Sequence, residues 1–306
     1  MKNSILTFAF LISIISCNKN ESIISDTNTL DSLVSKYVDN GSQALLLVRL
    51  EDKNGKPIYQ FSDKNIDLIP SQDINENTWF RIWSMSKIIT ISITMDLVED
   101  GLLKLSDPVS KYIPEFKNLK VAIANNGDSL INYGQALGND KSLMDDPCPL
   151  KLVEIKSEMT VLQLINHEAG FYYSTTGVKC LDESLASENL ATSKNSDELI
   201  HRLAKLPLIE QPGNKHFYGL NTTVLGLVNE RASGESLDQL VKNRITEPMN
   251  IKGIQYKKNN DIELLPTFSG TDSIIRIANK GELDIMGQHV PSYNLDNELF
   301  MGGEGM

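Results

Sequence analysis

An apolar helix, residues 86–99, is predicted to begin inside the segment Phe80-Arg81-Ile82-Trp83-Ser84-Met85-Ser86-Lys87. Ser84 and Lys87 lie three residues apart, so in a first helical turn the hydroxyl and the amine share one face and can hydrogen-bond. An amine that apolar neighbours desolvate releases its proton more readily, and a neutral amine can accept the proton of a serine hydroxyl. The positive field of a helix N-terminus also favours an oxyanion nearby. The pattern predicts a nucleophilic serine with its own base.

Predicted secondary structure continues on both sides of this helix. Apolar residues occupy nearly every side of residues 86–99, which predicts burial at the centre of the domain, and Gly101 is a typical helix stop. Upstream, we expect a short amphipathic helix at 30–38, followed by strands at 44–50 and 57–61 that flank the turn dipeptide Asn54-Gly55. The domain is thus predicted to open with a helix and a β-hairpin.

Capping patterns mark two later helices. Thr160 with Gln163, and Ser236 with Gln239, each place a hydroxyl three residues before a glutamine at the start of an apolar run. Residues 120–158, in contrast, are rich in Asn, Gly, Asp and Ser and show little periodicity, so we expect a long surface excursion there.

Charge and composition exclude several classes of function. The 306 residues include 29 Lys and Arg against 40 Asp and Glu, which gives a formal net charge of −11. Such a chain repels phosphate backbones, so no nucleic-acid partner is expected. No CxxC or HExxH spacing occurs, so we expect no metal site, and no cofactor is implied.

The first residues predict export. A short positive region and an apolar run too short to span a bilayer are typical of a secretory signal, which we place at residues 1–16. The junction Ile14-Ile15-Ser16-Cys17 resembles the lipobox of bacterial lipoproteins, in which cleavage precedes a cysteine that receives lipid. Residues 17–29 are then a polar tether and 30–306 the folded domain. An ordinary cleaved signal with an incidental cysteine is the alternative.

Two further cysteines, Cys148 and Cys180, remain after the junction. Export would place them in an oxidising compartment where a disulfide persists. The sequence leaves open whether they lie close enough to bond.

Six ordered blocks along the chain carry a common pattern: 80–87, 99–109, 159–171, 211–226, 232–237 and 247–249. Together they resemble the serine beta-lactamase-related family, which includes class C beta-lactamases, penicillin-binding carboxypeptidases and many esterases. The resemblance implies an α+β fold of the beta-lactamase/transpeptidase type, with an antiparallel sheet, flanking helices and a mainly helical subdomain.

The family's site residues transfer to three positions. Ser84 matches the acylated nucleophile and Lys87 the lysine that helps activate it. Tyr218 matches the phenol of the second motif, which serves as general base or relays to it. The resemblance assigns a structural role at a helix end to His167, and no G-x-S-x-G elbow supports a Ser-His-Asp triad.

The sequence departs from the family pattern in two places. One bears on which substrate is expected, and the other on whether the site is complete. Beta-lactamases have Tyr-x-Asn, whereas Tyr218 is followed by Leu220 at the asparagine position and by Asn221 one residue later. The missing amide would hold a substrate amide carbonyl, which favours an ester. The third motif, K-T-G or H-x-G, is absent after Tyr218, and the chain ends in a glycine-rich stretch, 299–306, that precedes this strand in relatives. We therefore expect a fragment without its C-terminal strands, and such a chain would be inactive.

Together these features predict an exported, lipid-anchored serine hydrolase of the cell envelope, facing the periplasm or the cell surface. Its partners would be the membrane, through a lipid on Cys17, and a small ester or D-amino-acid peptide, including one derived from peptidoglycan. The alternative is a catalytically incomplete binding protein on the same fold.

Overall fold

The computed structural model describes residues 27–131, 133, 147–257, 261–270, 274–279 and 299–306. The predicted signal peptide and Cys17 lie outside these ranges. The chain divides into two compact units between Asn75 and Glu76, a point inside the span 30–306 that the sequence assigned to a single domain.

The first unit contains the predicted helix and hairpin. Helix α1 spans Thr27–Asp39, strand β1 Leu45–Glu51 and strand β2 Pro57–Lys64, and the two strands pair antiparallel. Gly55 in the connecting turn has a φ of +77°, a conformation that favours glycine. The hairpin prediction is confirmed. Helix α1 begins at Thr27 rather than at residue 30, so residues 27–29, assigned to the tether, are helical.

Helix α2 in the second unit spans Ser86–Glu99, as predicted, and a 3₁₀ turn at Trp83–Met85 precedes it. Its buried face packs against helix α6, Asn221–Ser233. The expectation of burial on nearly every side was wrong, because Ile88 is 67% exposed. The buried face of the helix carries both polar and apolar side chains: Ser86, Lys87, Thr90, Ile93, Thr94 and Leu97.

Buried polar contacts join the two packed helices. Asn229 on α6 donates to the carbonyl oxygen of Thr90 on α2 (3.2 Å), and the hydroxyl of Thr94 donates to Asn229 Oδ1 (3.0 Å). A buried amide with its partners in place fixes the relative register of two helices more sharply than apolar contacts do. The α2–α6 pair thus holds the start of α2 in a defined position.

Capping accounts for the starts of two short helices. Helix α3, Val161–Ile165, has the complete capping box between Thr160 and Gln163, which confirms the prediction. Helix α7 spans Leu237–Leu240 and continues into a π-helical turn at Val241–Thr246. Ser236 accepts from the Gln239 backbone N–H, but the Gln239 side chain donates to Asn243 instead of reaching back. Only one half of that predicted box forms.

The polar excursion is more ordered at its ends than the sequence indicated. Strand β3, Lys120–Ile123, pairs antiparallel with strand β4, Lys151–Glu154, and the backbone of Leu208 bonds to both Lys120 and Ala122. The sequence predicted a surface excursion over 120–158 and no strands within it, because a four-residue strand is too short to show periodicity. Residues 134–146 lie outside the described residues.

A disulfide joins Cys148, just before β4, to Cys180 at the start of helix α4, Lys179–Glu188. The sequence left open whether these two cysteines lie close enough to bond, and the structure shows that they do. Helix α5, Ser196–Leu203, and the two-residue strands β5, Phe268–Ser269, and β6, Arg276–Ile277, complete the elements. Across the described ranges, the strands form three antiparallel pairs.

Most of residues 299–306 is buried in the second unit. Met301 and Glu304 are almost inaccessible to solvent, and the carbonyl of Met306 accepts from the backbone N–H of Ile82 (3.0 Å). Among the helices that the structure describes, none is long and apolar enough to span a bilayer.

Two substitutions on helix α2 test whether that helix is buried on one face only. Leu97 is 0% exposed, so Leu97→Ala should lower the free energy of unfolding by about 2–5 kcal/mol through lost burial and a residual cavity. Ile88→Ala, on the exposed face, is the matched control and should change it by less than about 1 kcal/mol. The measurement is urea unfolding followed by circular dichroism. If Ile88→Ala lowered the free energy of unfolding as much as Leu97→Ala does, the face of α2 that carries Ile88 would have to be covered.

Candidate active site

The start of α2 presents a serine and a lysine to each other. Lys87 Nζ donates to Ser84 Oγ at 3.2 Å, the contact that the three-residue spacing predicted. Ser84 is exposed, whereas Lys87 is only 7% exposed. The nucleophile candidate is thus accessible while its neighbouring amine is largely shielded from water.

Tyr218 reaches the same serine from a distant part of the chain. Its hydroxyl donates to Ser84 Oγ at 2.7 Å, and the Lys87 ammonium lies 4.8 Å from the centre of its ring. The structure thereby brings Ser84, Lys87 and Tyr218 together, which the sequence expected from the family resemblance. Cys17, the fourth predicted site residue, lies outside the described residues.

The segment that carries Tyr218 is held against the loop after α3. The backbone N–H of Phe217 donates to the carbonyl of His167 at 2.7 Å. At Gly219, a Cβ atom would come within 2.4 Å of the carbonyl oxygen of Phe171, so only glycine allows this approach. These two contacts fix the backbone on both sides of Tyr218.

His167 supports the tyrosine ring. The His167 and Tyr218 rings stack with centroids 4.9 Å apart and planes 24° from parallel. His167 Nδ1 accepts from the Gly219 backbone N–H at 3.4 Å. Burial, and then the charges of Lys87 and His216, lower the pKa of His167 to about 4. A neutral imidazole stacked on the phenol is consistent with the structural role that the sequence assigned to it.

Asn221 does not substitute for the amide missing at Leu220. It is fully buried at the start of α6, and its Nδ2 donates to the carbonyl oxygens of Phe171 and Phe217, both at 3.2 Å. The amide is therefore used to join two backbone segments beneath Tyr218, not to line the surface around Ser84.

Three residues near Lys87 were not predicted as site residues from the sequence: Tyr173, Gly303 and Glu304. Lys87 Nζ also donates to the hydroxyl of Tyr173 (3.2 Å) and to the carbonyl of Gly303 (2.7 Å). The Tyr173 hydroxyl donates in turn to Glu304 Oε2 at 3.2 Å, and Thr223 donates to both carboxylate oxygens at 3.1 and 3.0 Å. Burial raises the pKa of Glu304, while the Lys87 charge opposes that effect.

One sequence signal could have identified the glutamate. Glu304 is an acidic residue within a run of glycines, which the sequence alone shows. In the structure, a Cβ at Gly303 would lie 2.7 Å from the Thr223 hydroxyl. Glycines that permit close approach of a backbone to a polar cluster frequently mark functional positions. Tyr173 carried no such signal.

The arrangement has several features that acyl transfer uses. It contains an exposed hydroxyl, two proton-carrying groups within hydrogen-bond distance of it and a helix N-terminus nearby. No group of three or more His, Cys, Asp or Glu side chains able to hold a metal ion occurs among the described residues.

The sequence of this chain matches a known protein family and is similar to several known proteins. The Beta-lactamase family matches residues 53–271. Protein Rv1367c of Mycobacterium tuberculosis is 28% identical over 199 residues, covering 64% of this chain and 44% of that protein. Esterase EstB of Burkholderia gladioli is 26% identical over 208 residues, covering 67% of this chain and 45% of that protein. The chain thus spans less than half the length of these two relatives.

A solved structure shares the fold. The unliganded Simvastatin Synthase (LovD) from Aspergillus terreus superimposes with a TM-score of 0.65 at 20% identity, covering 92% of this chain and 65% of that one. The predicted fold class, α+β of the beta-lactamase/transpeptidase type, is confirmed.

The lowered pKa of His167 predicts a pH-dependent stability. An unfolded histidine titrates near 6.5, so between pH 6.5 and about 4 the unfolded chain binds a proton that the folded chain does not. The free energy of unfolding should therefore fall as the pH falls through this window, by roughly 3 kcal/mol in total. Nuclear magnetic resonance titration of the imidazole and urea unfolding at several pH values measure the two quantities.

The control for this prediction is His201→Gln, because His201 is exposed on α5. That variant should keep the wild-type pH dependence, whereas His167→Gln should lose most of it. Titration of His167 near pH 6.5 would contradict the burial argument.

Proposed function

Because the chain belongs to the beta-lactamase family, we propose that it is a serine hydrolase that acts through an acyl-enzyme on Ser84. The observation that carries the proposal is the convergence of Lys87 Nζ and the Tyr218 hydroxyl on Ser84 Oγ, at 3.2 and 2.7 Å. A structural serine does not require two proton-carrying partners on an exposed hydroxyl.

In the acylation step, Ser84 Oγ attacks the acyl carbonyl carbon and a tetrahedral intermediate forms. The hydroxyl proton passes to the pair of Lys87 and Tyr218, which must first release one proton because both groups donate to Ser84 Oγ in the structure. Collapse of the intermediate breaks the bond to the leaving group, and the same pair returns the proton to the departing alkoxide. The products are the Ser84 ester and an alcohol.

Deacylation reverses these roles with water. Water attacks the acyl carbon of the Ser84 ester, and the Lys87–Tyr218 pair accepts its proton. Collapse expels Ser84 Oγ, which regains the proton, and releases a carboxylic acid. Because Ser84 is exposed, water reaches this position without any rearrangement of the described residues.

An ester is the proposed acyl donor. Leu220 replaces the amide that would hold a substrate amide carbonyl, and Asn221 is buried away from the serine. The relative EstB is called an esterase, which supports the same choice. A D-amino-acid peptide, including one derived from peptidoglycan, is the competing donor within the same chemistry.

The proposal includes location at the cell envelope, with a lipid on Cys17. The sequence supports it through an apolar run and a lipobox-like junction. The Cys148–Cys180 disulfide supports export, since disulfides persist in oxidising compartments.

Covalent labelling of the full-length protein tests the nucleophile. A fluorophosphonate should label Ser84, and Ser84→Ala should abolish both labelling and turnover of a short-chain nitrophenyl ester, because the attacking oxygen is gone. Ser92→Ala, an exposed serine on the same helix, is the matched control and should behave as wild type. Peptide mass spectrometry locates the label. An ester should be hydrolysed faster than a D-alanyl-D-alanine peptide.

Two outcomes would contradict the assignment. Labelling that survives in Ser84→Ala would place the nucleophile elsewhere. A full-length protein that is neither labelled nor active on any ester or D-peptide would favour the non-catalytic binding protein.

Lipid attachment makes a separate prediction. When cells grow with an alkyne-bearing fatty acid, the wild-type protein should carry the label and sediment with membranes. Cys17→Ser should remove the label and release the protein, because a thiol at this position is the acceptor that the junction predicts. Cys180→Ser is the control and should keep the lipid. An unlabelled wild-type protein would support the ordinary signal peptide.

A further inference from the structure

The buried carboxylate of Glu304 is not used by the acylation chemistry described above, although it lies one hydroxyl away from Lys87. Glu304 is 0% exposed. Burying a carboxylate in a protein interior is costly unless partners compensate for lost hydration.

The hydrogen bonds around Glu304 fit an ionised carboxylate. The Tyr173 hydroxyl receives a hydrogen bond from Lys87 Nζ, so its single proton is directed to Glu304 Oε2. The Thr223 hydroxyl donates to the same carboxylate. These two hydroxyl donors and the nearby Lys87 charge favour the carboxylate form, whereas burial acts on the pKa of Glu304 in the opposite direction.

The contacts of Lys87 fit the ammonium form. Its three N–H groups have three acceptors, which are Ser84 Oγ, the Tyr173 hydroxyl and the Gly303 carbonyl. This is the state in which Lys87 stands once it has taken up the Ser84 proton. An anion on the far side of Tyr173 stabilises that state most.

We infer that Glu304 is a positioning residue that holds the Lys87 ammonium through the Tyr173 hydroxyl and thereby sets the pH range in which Ser84 is acylated. The inference rests on the proposed acyl-enzyme function. Glu304 is inaccessible to solvent and bonds to Tyr173 and Thr223 rather than to Ser84, so its effect is exerted through Lys87.

The titratable groups around this cluster are few among the described residues. Lys87 on α2, Tyr173 on the loop after α3 and the buried Tyr256 interact with Glu304. His167 and Tyr218 face Lys87 from the opposite side. Of these, Glu304 is the one carboxylate, so its removal changes the charge of the cluster by one unit without a substitute.

Removing the charge of Glu304 shifts the pH dependence of acylation in the same direction whether Lys87 or Tyr218 is the base. A nearby negative charge disfavours proton release from Lys87 and from Tyr218 alike, since both would become one unit more negative. Glu304→Gln keeps the shape and the ability to accept hydrogen bonds but removes the charge. The acid limb of the acylation profile should then move to lower pH, by about 1 pH unit. The plateau rate should fall about tenfold or more, because the ammonium that acylation forms loses its counter-charge.

The test is the rate of fluorophosphonate labelling of the full-length protein between about pH 5 and pH 9. Glu304→Gln should show the shifted limb and the lower plateau, and Glu304→Asp, which keeps the charge, should restore the wild-type limb. Glu210→Gln is the matched control, because Glu210 is a buried carboxylate that bonds to Ser129 away from Lys87. This control should leave the limb unmoved.

Tyr173→Phe gives an independent reading if Glu304→Gln does not fold. It removes the bridging hydroxyl and should reduce the plateau rate at least tenfold. Wild-type labelling by Tyr173→Phe, or an unmoved acid limb in a folded Glu304→Gln, would overturn the inference. Absence of labelling in the wild-type protein would instead contradict the proposed function, so the two failures are distinct.

Discussion

A lysine side chain buried at the start of α2 is the constraint around which the second unit is arranged. Lys87 is 7% exposed, and a charged amine in that position requires hydrogen-bond acceptors that replace water. The acceptors come from three separate regions: Ser84 in the preceding turn, Tyr173 after α3 and the carbonyl of Gly303. Because each region must approach one nitrogen, the position of this amine determines how the chain is brought together.

Glycines at positions 302 and 303 let the backbone there approach helices α2 and α6 closely. The carbonyl that accepts from Lys87 belongs to a residue whose Cβ would lie 2.7 Å from the Thr223 hydroxyl, and the neighbouring Gly302 carbonyl accepts from Thr90 at 2.7 Å. Side chains there would push the backbone away from α2 and leave two buried donors without partners. The segment is therefore as much part of the interior as the helices are.

Sequence reasoning succeeded where the determinants are local. The bounds of α2, the turn at Gly55 and the capping box at Thr160 each depend on residues within a few positions of one another. The Ser84–Lys87 contact is also local, and Tyr218 could be placed only through the family resemblance. Tyr173 and Gly303 are 86 and 216 residues from Lys87, so no periodicity relates them to it. The β3–β4 pair was missed for a similar reason, because four-residue strands carry too little pattern.

The different exposures of the site residues imply a division of roles. Ser84 and Tyr218 are open to solvent, so a ligand meets an oxygen and a phenol, whereas Lys87 and Glu304 lie behind them with little or no access to water. Charges shielded from water interact more strongly and are screened less by salt. A change beneath the surface should therefore alter how readily the serine loses its proton without altering what fits against it. Differences in the acyl group accepted must come from the exposed side chains around Ser84, while differences in rate can arise from residues that no substrate touches.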